Sequence, residues 1–455
     1  MPQDQSTATP AKPSNYRWVM CGLLVMAMII NYTHRQMFGL LKATVSPEMG
    51  WDEEAFARVV FWFQCAYAIA YVGFGAMMDK IGARVGYAIA FTIWNLSHML
   101  TGFVTNGLQF TIARFSLGIG ESGAFPASIK AITEWFPQRE RALAVGIFNT
   151  GSSLGAMLAP FLLPIIVPTG VWFLGVPAWD FIHFQGFGTH LPSLGWGWRG
   201  AFFVTGIASF AWLVLWLIFY RRPTEHKLVN AAEIDLINSD PADVGKKVSW
   251  FKIMAVKETW AFAIAKFLID PIWWVWLFWL PDFLGKHYGL DIKTFGPPII
   301  VIYLMSDVGS IMGGWLSSTL IKTGVSVNMS RKITLLIFAL LVSPVFLLDG
   351  VKDLWTAVII IGIATAAHQA FSANVYTLPS DLVPRSAVGS VIGFGGTAGA
   401  VGGMLMSLNV GFILQTTGSY KTIFWMAGSV YLLALLAVHL ISPKLERTRK
   451  LDGLI

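Results

Sequence analysis

Two opposite charges stand seven residues apart in an apolar stretch, R-F-S-L-G-I-G-E-S-G-A-F-P, which runs from Arg114 to Pro126. On a helix this spacing puts Arg114 and Glu121 on one face. A charge inside a bilayer is costly and faces a polar cavity or a partner. The chemistry open to the pair is proton exchange, in which Glu121 takes up and releases a proton and the guanidinium sets how readily it does so; the alternative is a structural ion pair between the two. Gly118, Gly120, Ser122, Gly123 and Ala124 surround the acid, so a neighbouring helix is expected to come close.

Further polar groups recur at helical spacing within apolar runs. Asn31, His34, Arg35 and Phe38 share a face, as do Gln64, Tyr67 and Tyr71, while Asn149, Ser152 and Ser153 cluster. In the second half Lys266, Asp270, Trp273 and Trp274 share a face, and so do His368, Gln369 and Ser372, with Asn374 pointing elsewhere. Arg35 is the best partner for an anionic ligand, because a guanidinium grips a carboxylate through two parallel hydrogen bonds; the alternative is a purely structural ion pair. Tyr32, beside it, is a further binding candidate. Lys266 and Asp270 either neutralise each other or act on a ligand. Trp273 and Trp274 either stack on a ring or pack between helices. Asp307 is read either as an internal structural acid or as a second coupling site.

The elements that must position these groups follow from composition. More than half of the 455 residues are hydrophobic and only 13% are charged. Apolar runs of about 20 residues, each long enough to cross a bilayer, recur from end to end. The expected fold class is an all-α polytopic membrane protein with twelve transmembrane helices in two six-helix bundles. The first six spans fall at 17–39, 55–78, 85–105, 108–135, 142–167 and 200–220. The other six fall at 257–284, 297–321, 331–348, 354–378, 387–414 and 420–442. The domains are then a tail at 1–16, an amino-terminal bundle at 17–220, a polar linker at 221–256, a carboxy-terminal bundle at 257–442 and a tail at 443–455. Two similar halves suggest internal repeats around a central path.

The net charge of +7 reads as membrane topology rather than nucleic-acid binding. Lys80, Arg84, Arg139, Arg141, Arg221, Arg222, Lys322, Arg331, Lys332, Arg385 and the 444–450 tail fall on one side, so both termini are expected in the cytoplasm. The first 15 residues lack the order of a signal peptide. Cys21 and Cys65 lie in apolar runs and give no disulfide framework. The 168–199 loop, rich in Trp, Phe and Gly, is longer than a hairpin requires; it is read as an interfacial aromatic segment or as a lid over the outer mouth.

After the second span stands G-A-M-M-D-K-I-G-A-R, from Gly75 to Arg84. Gly75 suits close packing and Gly82 a tight turn, and Asp79 and Arg84 suit an ion pair with each other or with a helix end. The pattern resembles the G-x-x-x-D-[RK]-x-G-x-R loop of the major facilitator superfamily. A degraded copy lies near Gly313 to Gly324, with Ser318 at the Asp position. N-Y-T-H-R (31–35), the Arg114–Ala127 stretch, E-W-F-P-Q-R-E-R-A (134–142) and A-V-G-I-F-N-T-G-S-S-L-G-A (144–156) together resemble the anion:cation symporter family. K-F-L-I-D-P-I-W-W-V-W-L-F-W-L-P (266–281) and A-A-H-Q-A-F-S-A-N (366–374) look like its hexuronate transporter branch. The resemblance covers nearly the whole chain except 168–199.

That resemblance implies an inner-membrane carrier that imports a sugar acid, galacturonate or glucuronate, together with protons. The binding residues expected for such a cargo, from their chemistry and helical spacing, are Tyr32, His34, Arg35, Tyr67, Asn149, Ser152, Ser153, Trp273, Trp274, His368, Gln369 and Ser372. Coupling is implied for Glu121, Arg114 and His34. Many family members carry Asp where this chain has His34, so Glu121 is left as the main coupling carboxylate. His34 is either a second proton carrier or a neutral group orienting substrate. No phosphate loop, zinc-ligand spacing or nucleophile elbow is present, and glycine pairs such as Gly118 and Gly120 lie inside spans. The expectation is therefore a monomeric carrier, not an enzyme, with no cofactor, no metal and no nucleic-acid partner. Other organic anions (aldonates, aldarates, small dicarboxylates) and a non-transporting receptor are the alternative readings.

Overall fold

The computed structural model describes residues 12–166, 172–173, 176–177, 197–239, 250–292, 294–383, 385–446 and 448. The chain opens with α1 (Tyr16–Leu40) and the short α2 (Lys42–Met49). Asp52 then caps α3 (Glu53–Leu100), its carboxylate accepting from the Ala55 amide. Two spans were expected here. They run as two helical arms that meet at Gly82, whose φ of 80° lies in the left-handed region that glycine alone enters freely. Arg84 follows at once and donates from Nη2 to the Leu217 carbonyl at 2.6 Å, near the carboxy-terminal end of α7 (Trp198–Phe219). The side chain of Asp79 and the position of Gly75 in the packing lie outside what is described.

The expected span 108–135 is two helices, α4 (Gly107–Ser122) and α5 (Ala124–Trp135). Pro126, in the first turn of α5, has no amide proton to return to Ser122, so the ladder breaks beside Glu121. α6 (Gln138–Ile166) completes this part. In the long loop, Trp172–Phe173 and Val176–Pro177 pair as a two-residue antiparallel ribbon. Its remainder lies outside the described residues, and with it the interface-or-lid question.

Two short helices, α8 (Ala231–Ile237) and α9 (Trp250–Met254), lead to the second set. These are α10 (Lys257–Tyr288), α11 (Gly296–Lys322), α12 (Val327–Val342), α13 (Leu354–Val375), α14 (Leu378–Leu382), α15 (Arg385–Thr417) and α16 (Lys421–Ile441). Among the described residues nine helical segments are long and apolar enough to cross a membrane. The two arms of α3 and the α4–α5 pair, more charged or broken, supply the remaining crossings of a twelve-helix, all-α polytopic fold. Leu304, Val308, Ile311 and Trp315 on α11 are exposed, as lipid-facing side chains of such a fold are. Among the described residues the first six spans meet the last six chiefly where α1 packs on α10, α3 on α15 and α6 on α11.

Candidate functional site

Between these contacts lies a cavity of about 190 Å³. Helix α1 lines it with Tyr32 and Arg35, α3 with Tyr67 and Tyr71, and α6 with Asn149 and Ser152. From the other half come Lys266, Asp270, Trp273 and Trp274 on α10, His368, Gln369 and Ser372 on α13, Tyr376 after it, and Thr397 on α15. The helical spacing explains this: residues three and four apart in each helix reach the same wall.

Arg35 is the cation of the amino-terminal wall. Its Nε lies 2.8 Å and its Nη2 2.6 Å from Glu121 Oε2, and Nη2 also donates to Asn31 Oδ1 at 3.2 Å. Aromatic rings enclose the guanidinium: Tyr32 at 4.7 Å, Trp274 at 5.0 Å and Tyr67 at 5.3 Å. Glu121 sits behind it, fully buried, with Oε1 unpartnered among the described residues. Gly120 brings α4 against the Trp94 backbone, where a Cβ would collide. The close approach expected around Glu121 is thus made by α3.

Arg114 does not reach the cavity. It lies buried with its guanidinium 4.3 Å from the Phe38 ring centre and 5.6 Å from that of Phe202. Its Nε and Nη2 have no hydrogen-bond partner among the described residues. The acid it was expected to accompany is instead paired with Arg35. His34 also turns away: its ring stacks on His98 with centroids 3.6 Å apart, and Nε2 lies 3.2 Å from Ser209 Oγ. Direct contact between His34 and a ligand does not fit this placement. Ser153 departs from Ser152 in the same way, donating to Asp307 Oδ1 at 2.5 Å and so joining α6 to α11.

In the carboxy-terminal wall Lys266 Nζ lies 2.7 Å from Asp270 Oδ1. Trp273 stacks on His368, centroids 5.4 Å apart, and His368 Nδ1 lies 2.7 Å from the Tyr431 hydroxyl. Trp274 stacks on Phe278 and presents its edge toward Tyr67. Both tryptophans therefore pack and line the cavity at once. Gln64 and Asn374 serve as ties: Ser407 Oγ donates to Gln64 Oε1 at 3.0 Å, and Asn374 Nδ2 to the Gly313 carbonyl at 2.9 Å.

One feature escaped the sequence reading. Where α2 and the start of α3 meet the end of α10, four charges close a ring. Lys42 Nζ is 2.6 Å from Glu53 and 3.0 Å from Asp282, and Lys286 Nζ is 2.5 Å from Glu53 and 2.9 Å from Asp282. Tyr420 donates to Asp282 Oδ2 at 2.5 Å. Of the ring contacts, the Asp282–Lys286 spacing of four was the one signal available in sequence.

A chain of membrane-spanning helices in two sets around a polar cavity is the architecture of a carrier, and the family comparison agrees. The sequence model of the Major Facilitator Superfamily matches residues 24–407. The chain belongs to the Major Facilitator Superfamily. Among curated members of this superfamily it is similar to the hexuronate transporter of Escherichia coli (strain K12), 29% identical over 90% of each chain. It is also similar to the galacturonate transporter of Dickeya chrysanthemi, 29% identical over 72% of this chain and 90% of that one. In fold it matches a bacterial homolog of the human lysosomal transporter Spinster, solved in an inward-facing and occupied conformation. That superposition has a TM-score of 0.72 at 15% identity and covers 94% of this chain and 97% of the other. Fold and relatives alike are those of transporters, not enzymes.

Proposed function

We propose that this superfamily member is a proton-coupled importer of a sugar acid, hexuronate (galacturonate or glucuronate) in the first place, working by alternating access. The observation that carries the reading is the Arg35–Glu121 pair at the wall of the inter-half cavity. A guanidinium already gripping one carboxylate is shaped to grip another. Substrate arriving at Arg35 competes with Glu121, and a displaced, buried Glu121 gains affinity for a proton. By linkage the proton in turn strengthens substrate binding. Arg114, on the same helix, adds positive charge behind the acid. The names of the relatives support a sugar acid as the cargo, and the tyrosines, Asn149, Gln369 and Ser372 supply partners for its hydroxyls.

The Lys42–Glu53–Asp282–Lys286 ring seals one end of the cavity. With the basic residues facing the cytoplasm, that end is the outer one, both termini are cytoplasmic, and the protein is a monomer in the inner membrane. Release and capture then require the two halves to rock about the cavity. The test is uptake into proteoliposomes under an imposed pH gradient, with labelled galacturonate, glucuronate, galactonate, glucarate and succinate in parallel. Gradient-driven hexuronate accumulation is the expected result. Accumulation of another acid alone moves the substrate assignment to that acid, and hexuronate uptake indifferent to the gradient removes the proton.

A further inference from the structure

The coupling scheme leaves the second ion pair of the cavity, Lys266–Asp270, without a role. The two cavity pairs are mounted with opposite polarity. On the amino-terminal wall the cation is the member facing the cavity: Arg35 lines it while the Glu121 side chain has no exposed surface. On the carboxy-terminal wall the anion is the more open member: the Asp270 side chain is 20% exposed and that of Lys266 only 3%. Lys266 is sunk further by its contact with the Tyr376 ring, 4.0 Å from Nζ to the centroid. It stands behind Asp270 as a buried counter-charge. Across from it a Cβ on Gly399 would collide with Asp270 Oδ2, so only glycine lets α15 pass that close to the carboxylate. Oδ1 is taken by Lys266 and Oδ2 lies against Gly399 of α15, while the Asp270 side chain still lines the cavity.

We propose that Asp270 is a specificity-determining residue: it accepts hydroxyl hydrogens from the end of the substrate far from Arg35 and rejects a second carboxylate there. An ionised carboxylate is an acceptor only, with several lone-pair sites, and charge-assisted bonds from hydroxyls are the strong kind. The same charge repels another anion, which is selection by an unfavourable contact rather than a better fit. The substrate class is then a polyhydroxylated monocarboxylate. Aldarates and plain dicarboxylates are excluded by Asp270, and unhydroxylated monocarboxylates leave it unpaired. The inference rests on the sugar-acid reading of the cavity and narrows it.

Competition against labelled galacturonate binding on purified protein tests it, with galactonate, galactarate and cyclohexanecarboxylate as competitors. In the unmodified protein galactonate is expected to compete at least about tenfold better than either of the other two, the range expected when a charged hydrogen-bond partner is lost. Asp270→Asn keeps an acceptor and removes the charge, so galactarate should gain on galactonate by about tenfold. A Lys266→Met/Asp270→Asn double variant, neutral throughout, gives the same readout if the single variant leaves Lys266 unpaired and fails to fold. Ratios of competitors on one sample are insensitive to lost folded protein, so a purely structural role would leave them unchanged. Galactarate competing as well as galactonate in the unmodified protein overturns the proposal, and so does an unchanged ratio in both variants. Binding of labelled galactonate without any binding of galacturonate would defeat the hexuronate reading alone; the same ratios, taken against labelled galactonate, would still decide the role of Asp270.

Discussion

Arg35 and Glu121 meet as a buried pair, Nη2 2.6 Å from Oε2, although 86 residues separate them in the chain. The pair joins α1 to the broken α4–α5 segment and leaves Glu121 Oε1 with no partner among the described residues. A carboxylate held by one oxygen is poised to change partners. Replacing it with an amide keeps the shape and removes the proton site. Glu121→Gln is therefore expected to retain counterflow exchange of substrate while losing accumulation driven by a pH gradient. Both are measured in proteoliposomes, and full gradient-driven accumulation by this variant would sink the coupling scheme.

Arg35→Lys tests the other partner. Lysine keeps the charge and loses the planar fork that binds a carboxylate through two parallel bonds. Substrate affinity should fall about ten- to a hundredfold, the value of a hydrogen bond to a charged group. Equilibrium binding of labelled substrate measures it. An Arg35→Lys protein that binds as tightly as the unmodified one would show that the guanidinium is only a structural partner of Glu121.

Much of the architecture was legible in the order of residues, and the reasons are local. Apolar runs of bilayer length marked the crossings and Gly82 marked a turn, whereas the break at Pro126 inside the expected span 108–135 was not anticipated. Which residues face the cavity was legible where one helix wall sufficed: Lys266, Asp270, Trp273 and Trp274 repeat at helical spacing on α10 and do line it. Partnership was not legible. Arg114 lies within seven residues of Glu121, yet the acid pairs with Arg35, because packing between helices and not spacing along one helix decides which charges meet. Neighbours in sequence also part company: His34 and Arg35 point about 100° apart on α1, one into the His98 stack and the other into the cavity.

A second set of contacts ties the amino terminus to the linker. Glu233, buried at the start of α8, accepts from the Tyr16 and Arg17 amides at 3.0 Å each, from Arg17 Nη1 at 3.0 Å and from Ser14 Oγ. Burial pushes its carboxyl up, but the bonds from Ser14, the two amides and the Arg17 guanidinium outweigh that and hold it below the usual carboxylate range. A depressed acid stabilises the docked form fully above its free value, about 4.3, and the effect fades as pH falls through the depressed value. Docking should accordingly be intact at neutral pH and weaken only in acid. At neutral pH Glu233→Gln should speed amide exchange at Tyr16 and Arg17 by about fivefold, as expected for loss of a bond of ordinary strength. Unchanged exchange at both amides would mean that Glu233 does not hold the segment.

The Lys42–Glu53–Asp282–Lys286 ring makes the sharpest prediction about movement. Lys42 is 4% exposed, and each lysine of the ring touches one acid from either half. Opening this end of the cavity must separate Lys42 from Asp282 and Lys286 from Glu53, and the four charges must be rehydrated as it does so. Asp282→Asn removes one acid and leaves Lys42 and Lys286 to share Glu53, so the closed form loses stability relative to the open one. A cysteine placed at Tyr67, on the cavity wall, in a chain with Cys21 and Cys65 replaced by alanine, reports the change. Its labelling by a membrane-impermeant thiol reagent added on the ring side should rise about tenfold in Asp282→Asn, the shift that about 1.4 kcal/mol produces. The protein with all four charges exchanged, Lys42→Asp/Glu53→Lys/Asp282→Lys/Lys286→Asp, restores every ring contact in reverse and should return labelling toward its starting rate. If labelling from the ring side is the same in all three proteins, the ring does not close that end of the cavity.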